Sequence, residues 1–493
     1  MTTSRLGRAA TAVAVLVILI GTGCASASQP GGTTAAVPSG DWLRFNYDAQ
    51  RSGVGPSDTG ISARNVGQLQ TRVVHLDGAV DSSAVELHGI RVNGRSRDVA
   101  IVTTTSGHTI AIDPGTGARL WEFSGGGSTI TTASPIADPN RRYVYATSPD
   151  GRIHKLALSS GREIRSGKWP VRATFDASRE MLAGSLNISG RYLISVTGGY
   201  FGDAPPYQGH VLTIDRASGH IAHVWNSLCS NRHNLINPPG SCPASDSAIW
   251  ARAGAVVEPG SGRLLVVTGN GPFNGSTDWG DSVLELTPSA SRLLHNWTPT
   301  DQAQLNASDT DLGSTAPALL PSYHRYRLAV QGGKDGQLHL LNLNRLNGTQ
   351  GGAGPRLGGE LQDIGAPGGS EVFTAPAVWT RSGRTLVFVA TGSGTGAYAL
   401  TGGRTPRLRL VWQNGSGGTS PVVAGGLLYV YDPGGSLKIY EPGSGRLLRS
   451  LDAASGHWSS PIAVGGRVLL PTGGSTSDDA SSSQLFIYHL PGR

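Results

Sequence analysis

Two short patterns recur along this chain, and each of them occurs eight times. The first pattern is a strand, a turn of the form Asp-x-x-Ser/Thr-Gly, and a second strand that ends in Trp; its clearest copy is Thr109–Gly117, followed by Trp121. Asp bonds the backbone that follows it and Gly adopts positive φ without steric cost, so this turn is typical of a tight β-hairpin. More degenerate copies start near Ile153, Val211, Val283, Leu338, Ala397 and Leu437, and a half-copy covers Leu485–Leu490.

The second pattern is a small residue, often Ser or Thr with Pro, directly before an apolar strand. Its copies start at Ser83, Ser134, Gly184, Gly254, Ala316, Ala375, Ser420 and Ser460. Small side chains suit innermost strands that crowd around a central channel. Because two independent patterns give the same count, the sequence predicts an all-β, eight-bladed β-propeller of four-stranded antiparallel blades.

The ends of the repeat region predict how the ring closes. The last repeat stops after its third strand, and Val66–Leu76 resembles the missing fourth strand. We therefore expect the N-terminal strand to complete the blade begun by residues 460–493, which leaves no sheet edge exposed. The Trp residues of the first pattern are expected to pack between neighbouring blades. These are Trp121, Trp225, Trp297 and Trp412.

Composition supports a β-rich chain and argues against one class of partner. Gly accounts for 71 of the 493 residues and charged residues for 15%, as expected for many tight turns and few surface helices. The net charge is +7, but no run of Lys and Arg accompanies it. A nucleic-acid partner requires a concentrated basic stripe, so we expect none here.

The N-terminus predicts export. Arg5 and Arg8 precede an apolar stretch, Ala9–Ile20, which has the length of a signal peptide and is short for a membrane span. Gly21-Thr22-Gly23-Cys24 is similar to a bacterial lipobox, although Gly21 stands where Leu is usual. We predict a lipoprotein-type signal peptide over residues 1–23 and a protein anchored through lipidated Cys24 at the extracytoplasmic face of the cell membrane. An ordinary cleaved signal and an uncleaved anchor are the alternatives.

Composition divides the rest of the chain into a tether and one domain. Residues 24–40 are rich in Ser, Gly, Thr and Pro and predict a flexible tether, and residues 41–493 form the single predicted propeller. Cys229 and Cys242 share a loop, Leu228–Ala244, that is rich in Gly, Pro and Asn. In an oxidising compartment this spacing favours a disulfide over two free thiols, and no zinc-ligand pattern surrounds the pair.

The opening of the mature chain carries a family resemblance. Asp41-Trp42-Leu43-Arg44-Phe45, with Asp48 and Arg51-Ser52-Gly53, resembles the opening of propellers built from repeats of the pyrroloquinoline quinone (PQQ) type. The repeats extend this resemblance over almost all of residues 41–493. Such repeats occur in PQQ-dependent alcohol dehydrogenases and in non-enzymatic assembly scaffolds. The resemblance therefore implies the fold and leaves two classes of function open.

The middle of the chain resembles the quinoprotein alcohol dehydrogenases in particular. Ile249-Trp250 and, twenty residues on, Val267–Asn274 look like the segment in which a Trp forms the floor under PQQ. The resemblance implies that Trp250 supports PQQ and that Lys334 faces the quinone carbonyls. It also implies a Ca²⁺ site with ligands at Asn270, Asp309 and Asp203, where Asp203 stands in place of the family's Glu. Carboxylate and amide oxygens are the ligands that Ca²⁺ prefers.

The same resemblance implies a reaction. Asp309 or Asp311, in the segment where the family carries its catalytic Asp, would remove the proton of an alcohol or sugar as general base, while hydride passes to PQQ. Ca²⁺ would act as a Lewis acid on the quinone. The sequence lacks the adjacent cysteines that cover PQQ in that family. It also lacks a Cys-x-x-Cys-His haem motif, so electrons would leave through a separate acceptor.

Each of these residues also has a structural interpretation. Trp250 is also consistent with a Trp packed between blades, and Asn270 and Lys334 with turn residues. Asp309 and Asp311 could cap a loop or bind structural Ca²⁺, and Asp203 could be a solvated loop residue. The corresponding alternative function is a non-catalytic propeller that binds envelope proteins or peptides through its loops. A third possibility is a degenerate member of the family that keeps the pocket but binds another ligand.

Overall fold

Eight four-stranded antiparallel sheets follow one another along the chain in the computed structural model, which describes residues 40–202, 204–346, 356–474 and 483–492. In each of blades 1 to 7 the four strands, here named A to D from the innermost outward, pair in chain order. This confirms the predicted eight-bladed all-β propeller. The signal peptide, Cys24 and nearly all of the tether lie outside the described residues and stay predictions. No helix within the described ranges is long and apolar enough to cross a membrane.

The first four blades cover the N-terminal half of the ring. Their strands are Val85–Val92, Arg95–Thr103, His108–Ile112 and Arg119–Ser124 in blade 1; Ile136–Ala137, Tyr143–Ser148, Arg152–Ala157 and Val171–Arg172 in blade 2; Asn187–Ser189, Tyr192–Val196, His210–Asp215 and Ile221–Asn226 in blade 3; and Val256–Val257, Leu264–Val267, Val283–Leu286 and Leu293–Trp297 in blade 4. A separate two-stranded ribbon pairs Glu180–Met181 with Gly198–Gly199 beside blade 3.

The other four blades complete the ring. Their strands are Ala318–Tyr323, Tyr326–Gly332, Gln337–Asn342 and Gln362–Gly365 in blade 5; Ala377–Arg381, Arg384–Ala390, Thr395–Gly402 and Pro406–Asn414 in blade 6; Val422–Ala424, Leu427–Asp432, Ser436–Tyr440 and Leu447–Asp452 in blade 7; and Ile462–Val464, Arg467–Pro471, Gln484–His489 and Gln70–His75 in blade 8. The described helical segments are short. They are the α-helix Gln302–Ala307 and the 3₁₀ turns Val66–Gln68, Leu312–Ser314, Leu343–Arg345 and Pro367–Gly369.

The N- and C-terminal strands close blade 8 together, as the sequence predicts. Gln70–His75 is the outermost strand and pairs antiparallel with Gln484–His489, from Gln70 opposite His489 to His75 opposite Gln484. The C-terminal part of the chain supplies the three inner strands of blade 8, and the N-terminal part supplies the outer strand. The ends of the repeat region are therefore joined by a full row of backbone hydrogen bonds.

Small polar residues before the innermost strands link neighbouring blades around the channel. The Ser83 N–H donates to Ser134 Oγ at 3.0 Å, and the Ser134 N–H donates to Ser185 Oγ at 3.4 Å. On the other side of the ring the Ala375 N–H donates to Ser420 Oγ at 3.0 Å. A larger side chain would fill the channel and leave these buried N–H groups unpaired. This bonding explains why the second repeat pattern requires small residues.

The Trp residues of the first pattern join adjacent blades, as predicted. Trp121 of blade 1 donates its indole N–H to the Leu158 carbonyl of blade 2 at 2.9 Å. Trp412 of blade 6 donates in the same way to the Pro442 carbonyl of blade 7 at 2.9 Å. Each indole is thus satisfied as a donor while its rings are packed between sheets.

Residues 41–60 cross the face of the ring that carries the A–B turns, and Arg51 secures them at the centre. Its guanidinium is buried and donates to the carbonyls of Phe45, Ala253, Ser185 and Leu186 at 2.8 to 3.0 Å. The same segment bonds to the innermost strands of blades 1, 2, 4, 6 and 7. The opening motif found in the sequence therefore closes the channel on the face opposite the B–C and D–A loops.

Cys229 and Cys242 form a disulfide in the loop between blades 3 and 4. Cys242 is buried with Leu228 and Ile236 in a small apolar cluster. The bridge joins two cysteines 13 positions apart and so limits the freedom of the unfolded chain.

Replacing both cysteines by Ser should lower the free energy of unfolding by about 3 kcal/mol, since a short closed loop is worth roughly that amount. Thermal unfolding of the double variant and the parent protein, each with and without a reducing agent, checks this. The reducing agent should lower the Tm of the parent alone. Equal Tm values for the parent and the variant under oxidising conditions would contradict the prediction.

Candidate functional site

The B–C and D–A loops meet on one face of the ring and surround a cavity of about 750 Å³, here called the aromatic cavity. Five of the residues singled out in the sequence line it: Trp250, Asn270, Asp309, Asp311 and Lys334. They come from four different loops of blades 4 and 5, so sequence spacing alone does not bring them together. The structure thus places Trp250 in a cavity wall, whereas the repeat Trp residues pack between blades.

Asp203 lies outside the described residues. Its neighbour Gly202 lines the aromatic cavity with Tyr200 and Phe201. The proposed metal-ligand role of Asp203 therefore stays a prediction.

Lys334 is the centre of the polar side of the cavity. Its ammonium lies 2.5 Å from Asp311 Oδ2 and 3.1 Å from Asp309 Oδ1, and it also donates to the Asp309 carbonyl at 3.1 Å. Burial alone would lower the pKa of Lys334, but the two carboxylates raise it above its ordinary value. Lys334 therefore stays charged, and two carboxylates share one ammonium.

Asp311 is held more tightly than Asp309. The Asp311 side chain is buried, and its Oδ1 accepts the Asn270 N–H at 2.6 Å. A Cβ at Gly269 would lie 2.2 Å from Asp311 Oδ1, so the Thr268-Gly269-Asn270 turn needs Gly for this close approach. Asp309, with φ of 53°, is 60% exposed. The two acids therefore differ in solvation although they share Lys334.

Burial raises the pKa of Asp311 above its ordinary value, against the opposing effects of the Lys334 ammonium and the Asn270 N–H. A buried carboxylate with raised proton affinity, facing a cavity, is a typical general base. This environment distinguishes Asp311 from its exposed neighbour Asp309.

The other side of the cavity is aromatic. Trp458 stacks on Phe373 with ring centroids 4.9 Å apart, and Trp250 lies within 6.1 Å of both rings. The Lys334 ammonium lies 5.7 Å from the Trp250 ring centroid. A flat anionic molecule on the Trp250 face would therefore have apolar surface below it and a positive charge beside it.

The buried ion pair of Arg252 and Asp81 contacts this aromatic wall. Arg252 donates to Asp81 Oδ2 at 2.6 Å, and His457 Nδ1 lies 2.9 Å from the same oxygen. The Trp458 N–H donates to Asp81 Oδ1 at 2.8 Å, and the Arg252 guanidinium lies 5.0 Å from the Trp458 ring centroid. Asp81, in the loop before blade 1, thus links Arg252 of the loop before blade 4 to Trp458 of the loop before blade 8.

Sequence reasoning missed several residues of this site. Phe373 and Trp458 each stand two residues before the small residue that opens an innermost strand, Ala375 and Ser460. An aromatic residue at that place in a D–A loop is a signal that could have found them. No sequence pattern indicates that Asp81 and Arg252 form a pair, because the two residues are 171 positions apart.

Asp281 was missed as well. Burial raises its pKa to about 8. Its Oδ1 accepts the Leu312 N–H at 3.2 Å, and its Oδ2 accepts from Gln302 at 3.4 Å. Asp281 therefore holds the segment that carries Asp309 and Asp311.

The residues present fit a flat quinone and a hard cation. Trp250 offers a ring face, and Asn270, Asp309 and Asp311 bring oxygen donors to one side of it. Because two carboxylates share the single Lys334 ammonium, the cluster has an excess of negative charge that favours a cation. Neither described cysteine lines the cavity, so its aromatic wall is formed without the disulfide.

Comparisons with known proteins agree with the architecture. Residues 72–292 match the family model described as outer membrane protein assembly factor BamB. No curated protein matches the chain.

The matching solved structures include PQQ enzymes of low sequence identity. The quinohemoprotein alcohol dehydrogenase from Comamonas testosteroni is 15% identical, with a TM-score of 0.66 over 94% of this chain and 82% of that one. The quinohemoprotein alcohol dehydrogenase ADHIIG from Pseudomonas putida HK5 is 16% identical, with a TM-score of 0.65 over 92% and 81%. A europium-containing methanol dehydrogenase is 13% identical, with a TM-score of 0.67 over 92% and 98%. At such identities these likenesses show the fold alone.

Proposed function

We propose that this chain, a PQQ-repeat propeller resembling the quinoprotein alcohol dehydrogenases, is an exported dehydrogenase that oxidises an alcohol or sugar with PQQ and Ca²⁺. One observation carries the proposal. Trp250, Asn270, Asp309, Asp311 and Lys334, named from the resemblance, all line one cavity on the loop face of the ring. A set of unrelated turn and capping residues would have no reason to converge in this way.

Each residue has a place in that function. The Trp250 face and the Lys334 ammonium would hold PQQ, and Asn270 and Asp309, with the predicted ligand Asp203, would hold Ca²⁺. When bound, PQQ supplies the hydride acceptor and Ca²⁺ polarises it. A separate acceptor would then take the electrons.

Asp311 is the general base in this proposal. Its carboxylate is buried and fixed by the Asn270 N–H, so its lone pairs are oriented in the cavity before substrate arrives. The Lys334 ammonium keeps the carboxylate ionised while the substrate hydroxyl approaches, and the proton from that hydroxyl then passes to an Asp311 oxygen. Asp309, exposed and on the cavity rim, is better suited to bind a cation.

The proposal includes a location at the extracytoplasmic face of the membrane, through lipidated Cys24. The disulfide between Cys229 and Cys242 supports the export part of this proposal, since such bonds persist in oxidising compartments. Mass spectrometry of the mature protein tests it: a diacylglyceryl group on Cys24 as the N-terminal residue is expected. A mature N-terminus elsewhere, or unmodified Cys24, would refute the anchor.

Calorimetric titration of PQQ into the purified protein is the primary test. We expect one-to-one binding in the presence of Ca²⁺, which a chelator abolishes. Asn270→Ala should weaken the binding about tenfold or more, since a lost metal ligand removes a charge-assisted contact. The matched control is Asn306→Ala, which makes the same change at an exposed residue of the nearby helix. Absence of binding in folded protein would refute the enzyme proposal.

A non-catalytic scaffold for envelope proteins or peptides is the second candidate. The match of residues 72–292 to an assembly-factor model favours it. The same titration separates the two candidates, because a scaffold has no reason to bind PQQ in a Ca²⁺-dependent manner.

A further inference from the structure

A second cavity, of about 470 Å³, opens beside the aromatic cavity on the same face of the ring. Its walls are loops of blades 6 and 7 and the segments before them: 370–371, 373–374, 391–392, 415–418 and 432–433. We call it the polar annex. Its volume lies within the range of small-molecule sites in proteins.

The two cavities share a wall. Glu371, Phe373 and Trp458 line both of them. A ligand in the annex therefore contacts the same aromatic rings as a ligand in the aromatic cavity. The two cavities are therefore direct neighbours.

The annex offers hydrogen-bond donors and acceptors in close alternation. Asp432 and Lys438 form a pair at 2.8 Å, and Ser370, Ser416 and several Gly residues present hydroxyl and backbone groups. The Glu371 carboxylate is exposed, and no described residue pairs with it. An apolar ligand would leave these groups without partners, and an anion would be repelled by Glu371.

A neutral ligand with many hydroxyl groups meets both conditions. Hydroxyls would donate to the Glu371 carboxylate and accept from the backbone and from Lys438. The C–H groups of a sugar would contact the parts of Phe373 and Trp458 that line the annex. We infer that the annex binds the polyhydroxylated part of a sugar or sugar alcohol, with the hydroxyl to be oxidised directed into the aromatic cavity. The oxidation rests on the proposed function; the binding of the polyol does not.

Ligand-observed NMR on the full chain without cofactor tests the binding, with sorbitol, glucose and 1-butanol as probes. Sorbitol or glucose should receive saturation from the protein, and 1-butanol should receive much less. Glu371→Gln should weaken the binding about tenfold, because a hydrogen bond to a charged group is lost. The matched control Asp452→Asn removes the same charge from an exposed residue of blade 7 and should leave the binding unchanged.

The outcomes separate the two proposals. Polyol binding that is lost in Glu371→Gln supports the annex even if PQQ does not bind. Binding of PQQ with no polyol binding, or polyol binding that Glu371→Gln leaves intact, overturns the annex alone. Thermal unfolding of Glu371→Gln checks that the variant is folded, as its exposed position leads us to expect.

Discussion

Arg252→Met should lower the free energy of unfolding by about 3–5 kcal/mol, the usual cost of leaving a buried charge without its partner. Asp81 is fully buried and accepts from Arg252 at 2.6 Å. Without the guanidinium, His457 and the Trp458 N–H are the partners of Asp81 that remain among the described residues. Chemical denaturation of parent and variant measures the effect.

A second variant separates the loss of charge pairing from a loss of packing. Asp81→Asn in the Arg252→Met background removes the unpaired charge and should recover most of the lost stability. Arg409→Met, at an exposed site in blade 6, should change the stability by less than about 0.5 kcal/mol. If the double variant is as unstable as Arg252→Met, packing rather than charge is the cause.

The same pair predicts a dependence on pH. Burial opposes the ionisation of Asp81, but Arg252 and His457 lower its pKa below the ordinary carboxyl value. A carboxyl whose pKa is lower in the folded state adds stability above its unfolded pKa of about 4, and this is lost as pH falls through the folded pKa. The double variant should therefore lack this part of the acid sensitivity.

The fold could be predicted because each blade repeats its own local chemistry. The hairpin turn at Asp113, the small residue at Ser134 and the inter-blade Trp121 each report a contact within a blade or with the next blade. Because each signal occurs eight times, the copies together identify the fold even though a single copy is weak. The closure of blade 8 followed from one missing strand and one spare strand.

The site was harder to predict because it joins loops that are distant in sequence. The resemblance named Trp250, Asn270 and Lys334, and the structure brings them to one cavity. Trp458 comes from a loop more than 100 residues beyond Lys334, and no repeat pattern predicts that it stacks on Phe373. Likewise, the sequence could not show which of Asp309 and Asp311 is the better general base, since their difference in burial arises only from the folded loop.

Because Asp311 is the buried acid of the two, its substitution has the largest expected effect on activity. In PQQ- and Ca²⁺-loaded protein, Asp311→Asn should lower kcat/KM by about 10²–10⁴, the contribution of a positioned general base. PQQ binding measured by calorimetry should change little, because Asn keeps the shape and the acceptor for the Asn270 N–H. Steady-state kinetics with a dye acceptor and a sugar or alcohol measures the loss.

Asp309→Asn is the matched comparison, since it makes the same change two residues away beside the same Lys334 ammonium. As a proposed cation ligand, Asp309 should affect Ca²⁺-dependent PQQ binding more than turnover of the saturated protein. Loss of turnover in Asp309→Asn with little loss in Asp311→Asn would exchange the two roles. Both acids contact the same ammonium, so that contact cannot account for a larger loss of turnover in Asp311→Asn than in Asp309→Asn. The burial of Asp311 and the exposure of Asp309 can account for it.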